Sequence, residues 1–271
     1  SRNDDRRNRC VTDVFEPGST FKTVTAAAAL ESGIFHSGDT LFCENGAFSL
    51  ARRIIHDHSP HAWLTLREAV EKSSNIGMVK VGTRLGAETL REAASRFGYG
   101  EKSGVDLPGE VPGLLKPLPE WTESALASIS YGQEVLVTVI QVATAMAAAA
   151  NGGDLLRPYV VQRVTTREGK TVAQTERLVR RRVMTPATAK ELASFLVGVV
   201  ERGTGMPARP RGYTAGGKTG TAHKADPRTG TYPPGRYIVS FAGFAPAENP
   251  RLAAVVVVDA PSEPGYGGSI A

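Results

Sequence analysis

A serine and a lysine stand three positions apart in Glu16-Pro-Gly-Ser-Thr-Phe-Lys, directly before an alanine-rich stretch. The alanines predict a helix, and residues three apart on a helix lie on the same face. Lys22 would therefore lie beside Ser19 as a proton acceptor, and the free amides at the helix start would face an incoming oxyanion. The pattern predicts an acyl-transferring serine, although a capping Ser19 beside a solvated Lys22 gives the same local sequence.

A second polar motif, Ser73-Ser74-Asn75, lies between two predicted helices. A tight turn at this point would direct the side chains of Ser73 and Asn75 into a cleft. A residue that caps the following helix explains the same sequence equally well. The motif alone therefore leaves its role open.

A third motif, lysine followed by a hydroxyl residue and glycine, occurs in two copies. Lys102-Ser103-Gly104 falls in a loop rich in glycine and proline, whereas Lys218-Thr219-Gly220-Thr221 opens a predicted strand. A strand edge can pair with an extended peptide, and Gly220 would let that peptide approach closely. We therefore assign the catalytic cation to Lys218 and substrate binding to Thr219, Gly220 and Thr221.

Hydrophobic periodicity and capping residues predict the elements that must position these motifs. Helices are predicted over 19–32, 64–72, 76–85, 87–97, 137–150 and 185–202. Strands are predicted over 219–222, 236–245 and 252–260, and a hairpin over 159–172 with its turn at Glu168-Gly169-Lys170. Helices dominate the middle and an antiparallel meander dominates the end, which predicts an α+β fold with helices layered on a sheet.

The composition is that of an ordinary globular chain, and it excludes few functions. The chain has 271 residues, 41% of them hydrophobic and 22% charged, with a formal net charge of +5. This length suits one large domain with a substantial core. Aromatic residues do not alternate with the basic ones, so no nucleic-acid partner is predicted.

The cysteines and histidines do not predict a metal site. Cys10 and Cys43 lack the spacing of metal ligands to a histidine, and whether they pair is left open. His56, His58 and His61 cluster in a polar segment without the cysteine or acidic residues that would complete a zinc site. We expect neither a metal nor an organic cofactor.

The sequence has no signal peptide and no apolar run of 18 residues or more. The longest apolar run, 252–258, has the length of a strand. Because both termini are abrupt, we expect the chain to be a piece of a longer protein.

Taken together, the three motifs resemble those of a known family. The order S-x-x-K, S-x-N and K-T-G is typical of penicillin-binding proteins and class A β-lactamases. The segments 8–22, 72–78, 216–222 and 237–252 resemble class B penicillin-binding proteins, the monofunctional peptidoglycan transpeptidases of the division and elongation machinery. The resemblance covers essentially the whole chain and points to the division-type branch.

This resemblance implies one transpeptidase domain over residues 1–271, with an antiparallel sheet flanked by helices and an associated, mostly helical lobe, as in penicillin-binding proteins and serine β-lactamases. The family also has a membrane anchor, an N-terminal pedestal and a C-terminal helix that we expect to lie outside this chain. It implies a location at the bacterial inner membrane with the catalytic domain in the periplasm. The implied partners are peptidoglycan stem peptides, β-lactams, a membrane glycan polymerase and other division proteins.

The resemblance further implies a mechanism. Ser19 would attack the penultimate D-Ala carbonyl of a stem peptide and expel the terminal D-Ala. Lys22 would accept the serine proton, and its burial near the second cation, Lys218, would keep it partly neutral. Ser73 would relay a proton to the leaving amine, and Asn75 would hold the substrate amide and Lys22.

The remaining roles also follow from the resemblance. The backbone N–H groups of Ser19 and Thr221 would bind the oxyanion, and Lys218, Thr219 and Thr221 would anchor the substrate carboxylate and backbone. A neighbouring stem peptide would then take the acyl group, and β-lactams would acylate Ser19 and stay there.

Three rival functions use the same motifs. A serine β-lactamase needs a base for deacylating water, but none of the glutamates at 110, 120, 123 and 134 lies in a recognisable loop of that kind. A D,D-carboxypeptidase would release the acyl group to water, and a β-lactam sensor would be acylated without transfer. The lifetime and the acceptor of the acyl-enzyme distinguish all three from a transpeptidase.

Overall fold

The structure is a computed structural model that describes residues 7–51, 53–224, 231–233, 235–261 and 271. Within these residues the helices are α1 (Arg9–Thr12), α2 (Lys22–Glu31), α3 (Leu66–Glu71), α4 (Asn75–Leu85), α5 (Ala87–Arg96), α6 (Glu123–Ser130), α7 (Val139–Ala150) and α8 (Pro186–Arg202). None of them combines the length and the apolar character of a membrane span.

The largest sheet is antiparallel and comes from the end of the chain. Its strands are β9 (Gly216–His223), β10 (Tyr237–Ala245) and β11 (Leu252–Asp259), in the order β11-β10-β9. Four two-stranded ladders complete the described strands: β1 (Thr40–Phe42) with β4 (Trp63–Thr65), β2 (Ala47–Leu50) with β3 (Arg53–His56), β5 (Asp154–Leu156) with β8 (Val179–Arg182), and β6 (Arg163–Thr165) with β7 (Thr171–Gln174). β9 is therefore an edge strand in the described part of the main sheet.

Helix α2 lies at the centre of the molecule. Its residues from Lys22 to Ala29 are all buried, and the helix packs on α4, α5 and α8. Its alanines let these neighbours approach closely without leaving voids. Helix α8 also contacts β9, so the helical part and the sheet share one hydrophobic core.

Capping residues explain where the helices begin. Thr65 caps α3 through a reciprocal capping box with Glu68. Thr138 and Gln141 form the same box at α7, while Thr185 caps α8 with proline at the first helical position. These side chains satisfy amides that have no partner within the helix.

The predicted α+β fold is confirmed, with corrections to several boundaries. The predicted helix over 64–72 begins only at Leu66 because its first residues pair with β1, and the predicted helix over 19–32 is an α-helix only from Lys22, after a 3₁₀ turn at Gly18–Phe21. The hairpin is confirmed as β6 and β7, with Thr166 N–H donating to the Lys170 carbonyl across the turn (2.9 Å). Helix α6 and the pairing of β5 with β8 were missed.

Candidate active site

The first motif forms a tight turn that packs on strand β9. Gly18 has φ 51°, a left-handed conformation that suits glycine, and a methyl group there would collide with the Thr221 carbonyl. Ser19 follows in the 3₁₀ turn, where its carbonyl accepts a hydrogen bond from the backbone N–H of Lys22. Side chains at positions i and i+3 of such a turn are aligned, so the half-buried Ser19 and the fully buried Lys22 lie on one face.

Lys22 is fully buried, and its ammonium group is held by the second motif. Nζ donates to the Ser73 carbonyl (2.6 Å) and to Asn75 Oδ1 (2.8 Å), and it also contacts Ser73 Oγ at 3.2 Å. The predicted proximity of Ser73 and Asn75 to Lys22 is therefore present in the structure.

The second motif is a helix-ending turn with a serine where glycine is usual. Ser73 N–H donates to the Val70 carbonyl (3.1 Å) and Ser74 N–H to the Ala69 carbonyl (2.9 Å), which is the Schellman pattern. Ser73 occupies the left-handed position of this pattern with φ 59°. Non-glycine residues in this conformation carry strain, and they are frequent at functional sites. Here the turn directs the Ser73 carbonyl and hydroxyl to Lys22.

The alternative helix-cap role is also present, in the middle residue of the motif. Ser74 caps α4, and its hydroxyl donates to Asp57 Oδ2 (2.6 Å). Asp57 Oδ1 accepts from the backbone N–H groups of Asn75 (2.6 Å) and Ile76 (3.0 Å), while Asn75 Nδ2 donates to the His56 carbonyl (2.8 Å). The sequence analysis missed Asp57, because a single aspartate in a polar loop matches no motif.

The third motif brings a second buried ammonium group to the same serine. Lys218 is fully buried on β9, and its Nζ donates to Ser73 Oγ (2.9 Å) and to the Thr219 carbonyl (3.2 Å). The Ser73 hydroxyl therefore contacts Lys22 and Lys218 at once, although these residues are far apart in the sequence.

Burial lowers the pKa of both lysines, and like charge lowers that of Lys22 further. Burial lowers the pKa of Lys218 to about 7. Burial also lowers the pKa of Lys22 well below its ordinary value, the charge of Lys218 lowers it further, and the carboxylate of Asp57 acts in the opposite direction. At least one of the two amines is thus available as a proton acceptor near neutral pH.

Strand β9 presents two threonines to the cleft and keeps a glycine against the protein. Thr219 Oγ1 lies 2.8 Å from Thr204 Oγ1, a residue that the sequence analysis also missed. A methyl group on Gly220 would overlap Ser240 Oγ and would lie 3.0 Å from the Pro17 carbonyl oxygen. The space left by Gly220 is therefore filled by the protein itself rather than offered to a peptide as we expected.

Several residues of the three motifs line one cleft of about 460 Å³. The lining residues are Gly18, Ser19, His58, Lys72, Ser73, Asn75, Tyr131, Gln133, Thr204, Thr219, Thr221, His223 and Tyr237. A wider hollow of about 660 Å³ between Arg209 and Glu248 contains none of the motif residues. Of these two hollows, only the cleft of about 460 Å³ contains residues of the three motifs.

The second lysine-serine-glycine copy has a structural role. Glu110 Oε1 accepts from the Ser103 N–H (2.7 Å) and Oε2 from the Gly104 N–H (3.1 Å), which fixes this loop. Neither the loop nor Glu110 lines the cleft. The choice of Lys218 over Lys102 agrees with this geometry.

Known proteins match the chain in both sequence and structure. The family model of the penicillin binding protein transpeptidase domain matches residues 1–271. Stage V sporulation protein D of Bacillus subtilis (strain 168) is 40% identical over 269 residues, which cover 98% of this chain and 41% of that protein. The apo TP domain of Burkholderia pseudomallei penicillin-binding protein 3 has a TM-score of 0.86 at 35% identity, over 97% of this chain and 76% of that chain.

Penicillin-binding protein 3 of Mycobacterium tuberculosis, complexed with aztreonam, has a TM-score of 0.87 at 32% identity, over 97% of this chain and 60% of that chain. The chain spans about two fifths of the length of the curated relatives it matches. The α+β fold is that of penicillin-binding proteins and serine β-lactamases. From the family match, the shared fold and the sequence identity, the chain belongs to the penicillin-binding protein transpeptidase family.

Proposed function

We propose that this chain is the catalytic domain of a peptidoglycan D,D-transpeptidase that works through a serine acyl-enzyme. The observation that carries the proposal is the Ser73 hydroxyl, which bridges the buried ammonium groups of Lys22 and Lys218 at 3.2 and 2.9 Å. This arrangement combines a proton acceptor, a relay and a second buried amine at one cleft with Ser19.

In the acylation step Ser19 Oγ attacks the carbonyl carbon of the penultimate D-Ala. The bond from Oγ to carbon forms, and the bond from carbon to the terminal D-Ala nitrogen breaks. Neutral Lys22 takes the proton from Ser19, and Ser73 passes its own proton to the departing amine while it receives one from the protonated Lys22. Asn75 holds Lys22 through Oδ1, and its Nδ2 donates one hydrogen to the His56 carbonyl and the other to the carbonyl oxygen of the substrate amide.

The substrate lies along strand β9 in this proposal. β9 pairs only with β10 in the described part of the sheet, so its other edge can accept an extended peptide. Lys218, Thr219 and Thr221 bind the terminal carboxylate and the backbone. The backbone N–H groups of Ser19 and Thr221 stabilise the oxyanion, and one such donor contributes roughly 3–4 kcal/mol.

The acyl group then passes to the side-chain amine of a second stem peptide, which forms the cross-link and releases Ser19. β-Lactams enter the same cleft and acylate Ser19. The complex of the similar Mycobacterium tuberculosis protein with aztreonam supports this part of the proposal.

The relatives suggest where the whole protein works. The similarity to a stage V sporulation protein and to penicillin-binding protein 3 domains supports a role in division or septal wall synthesis. We propose that the catalytic domain lies outside the cytoplasmic membrane of the bacterium. A membrane glycan polymerase and other division proteins are its proposed partners.

Intact mass spectrometry tests the acylation half of the proposal. After incubation with penicillin, the chain should gain the mass of one ring-opened antibiotic, and Ser19→Ala should gain none. A mass gain on Ser19→Ala would place the nucleophile elsewhere.

A thioester donor with an added D-amino acid tests the transfer half. A transpeptidase forms the D-amino acid adduct, whereas a D,D-carboxypeptidase gives only the hydrolysed donor. A β-lactamase would instead lose its penicillin adduct within seconds, and a sensor would keep the adduct but transfer nothing.

A further inference from the structure

A bidentate ion pair joins the end of helix α3 to the end of helix α8. Arg202 donates from Nε to Glu71 Oε2 (2.9 Å) and from Nη2 to Glu71 Oε1 (2.5 Å). The Glu71 side chain is only 3% exposed, whereas that of Arg202 is 53% exposed. Glu71 lies two residues before Ser73, so the pair fixes the helix end from which the catalytic turn starts.

Two glycines of the α8 segment allow this contact. A methyl group on Gly198 would overlap the Glu71 carboxylate, and one on Gly203 would overlap the Glu71 carbonyl oxygen. The ends of the two helices therefore meet without intervening side chains. Gly198 leaves space for the Glu71 carboxylate, and Gly203 leaves space for the Glu71 carbonyl oxygen.

The contact continues from the ion pair into the cleft. Thr204 N–H donates to the Glu71 carbonyl (3.2 Å), and Thr204 Oγ1 lies 2.8 Å from Thr219 Oγ1. Thr204 and Thr219 both line the cleft. An unbroken series of short contacts thus leads from the Ser73 turn to the substrate-binding strand without passing through Lys22 or Lys218.

A second contact already holds the same two helices together one turn earlier. Arg67 of α3 donates to Ser194 Oγ of α8 (3.0 Å) and stacks on the Phe195 ring at 4.6 Å. Packing of α3 on α8 therefore does not depend on Glu71. Burying a carboxylate is costly, and apolar side chains would pack these helices at least as well. The ion pair must then contribute something other than helix packing.

We propose that the Glu71–Arg202 pair is a positioning clamp that sets the spacing between Ser73 and Thr219, with Thr204 as its link to the strand. This inference rests on the proposed acyl-transfer function of the cleft. The pair holds the two sides of the cleft in register while the substrate acylates Ser19. A change in the spacing between Ser73 and Thr219 would slow acylation, since an error of about 1 Å in a catalytic geometry can reduce a rate about 100-fold.

The test compares Arg202→Met with the matched control Arg67→Met. Each variant removes one arginine that joins α3 to α8, but only Arg202 binds Glu71, whose carbonyl accepts from the cleft residue Thr204. The second-order rate of acylation by a fluorescent penicillin is measured at a temperature where all variants are folded by circular dichroism. We expect the rate to fall about tenfold in Arg202→Met and to stay within twofold in Arg67→Met.

Arg202→Lys keeps the charge but loses the bidentate geometry. Its acylation rate should lie between those of the other two variants, and it remains informative if Arg202→Met does not fold.

The acylation rate of a double variant at Arg202 and Thr204 distinguishes a positioning role from a general loss of stability. If the clamp acts through Thr204, the loss in the double variant Arg202→Met/Thr204→Val will be smaller than the product of the two single losses. Wild-type rates in Arg202→Met and Arg202→Lys, an equal loss in Arg67→Met, or fully multiplicative losses would each overturn the clamp. If the wild-type chain is not acylated at Ser19 at all, the proposed function fails instead, so the two failures are distinguishable.

Discussion

At the scale of single residues, the Ser73 hydroxyl is the meeting point of the cleft. Its oxygen can accept from both ammonium groups, or its proton can go to whichever amine is neutral. Two buried ammonium groups beside each other are unfavourable, so one of them loses its proton readily. Asp57 opposes this effect on Lys22, and it also fixes the turn through the N–H of Asn75.

The first prediction concerns the pH dependence of stability. The pKa of Lys218 is about 7 when folded, against about 10.4 when unfolded. Between these values the unfolded chain binds more protons, so the free energy of unfolding rises with pH through this window. We expect Lys218→Met to remove most of this rise. The free energy of unfolding of Lys218→Met minus that of the wild type should therefore fall by roughly 2 kcal/mol between pH 7 and pH 9 in urea unfolding.

The exposed Lys190 on α8 provides the control for this experiment. The difference in stability between Lys190→Met and the wild type should stay constant over the same pH range. A constant difference for Lys218→Met as well would mean that the Lys218 ammonium group is not desolvated. Lys22 loses a neighbouring charge in Lys218→Met and keeps its proton to higher pH in the folded variant, which adds to the effect in the same direction.

The second prediction concerns the left-handed backbone at Ser73. Ser73→Gly relieves the strain at φ 59°, whereas Ser73→Ala keeps it. We therefore expect Ser73→Gly to be more stable than Ser73→Ala by about 1 kcal/mol. Both variants lose the bridging hydroxyl, so both should be acylated about 100-fold more slowly by a fluorescent penicillin. Equal acylation by Ser73→Ala and the wild type would remove Ser73 from the relay.

Sequence reasoning found the residues that belong to motifs and missed those that do not. Ser19, Lys22, Ser73, Asn75 and Lys218 were assigned from spacing and order, and the structure brings the last four into direct contact. Asp57 and Thr204 act through loops whose positions depend on tertiary packing. Only the flanking glycines at 203 and 205 hinted at the close approach near Thr204.

At the scale of elements, strand β9 is pressed against the turn that carries Ser19. Gly220 faces this turn, and a methyl group there would lie 3.0 Å from both the Pro17 carbonyl oxygen and Thr20 Cγ2. A backbone oxygen on a packed turn cannot yield as a flexible side chain would. The strand and the turn would therefore have to separate to accept any larger residue.

The third prediction follows from this contact. Gly220→Ala should lower the free energy of unfolding by about 1–3 kcal/mol, because the substitution overfills a packed site. It should also slow acylation more than tenfold, because Thr221 moves away from Ser19. Gly38, which has open space around it, is the matched control, and Gly38→Ala should change stability by less than about 0.5 kcal/mol. Wild-type acylation by Gly220→Ala would show that the spacing of strand and turn is not critical.

The elements that sequence reasoning missed share a physical cause. The short helix α6 has eight residues, and its buried face is mostly alanine and serine, which gives a weak hydrophobic period. Strand β4 has three residues and depends on pairing with β1, so its sequence alone did not separate it from the helix that follows. The longer helices α7 and α8 carry strong caps and were predicted within two residues.

At the scale of the whole molecule, the cleft lies where three distant parts of the chain meet. Helix α2 brings Lys22, the turn after α3 brings Ser73, and β9 brings Lys218. No one of these parts can form the site alone. A ligand bound covalently at Ser19 therefore contacts segments that separate when the chain unfolds.

The fourth prediction uses this convergence. Acylation by penicillin should raise the midpoint of thermal unfolding by about 2–6 °C, because the acylated chain gains contacts to β9 that the unfolded chain lacks. Differential scanning fluorimetry measures this shift. Ser19→Ala should show no comparable shift at the same antibiotic concentration, and an equal shift in that variant would show that the stabilisation does not require a covalent bond to Ser19.

The shared serine hydroxyl between two buried amines also constrains how drug resistance could evolve in such a protein. In the proposed function the antibiotic and the natural peptide bind beside the same two amines, so we expect a mutation of Lys22, Ser73 or Lys218 to abolish transpeptidation together with acylation by the antibiotic. We therefore expect resistance substitutions at other residues that line the cleft, such as Gln133 and His223. Inhibitors that rely only on the interior of the cleft would leave the fewest routes to resistance.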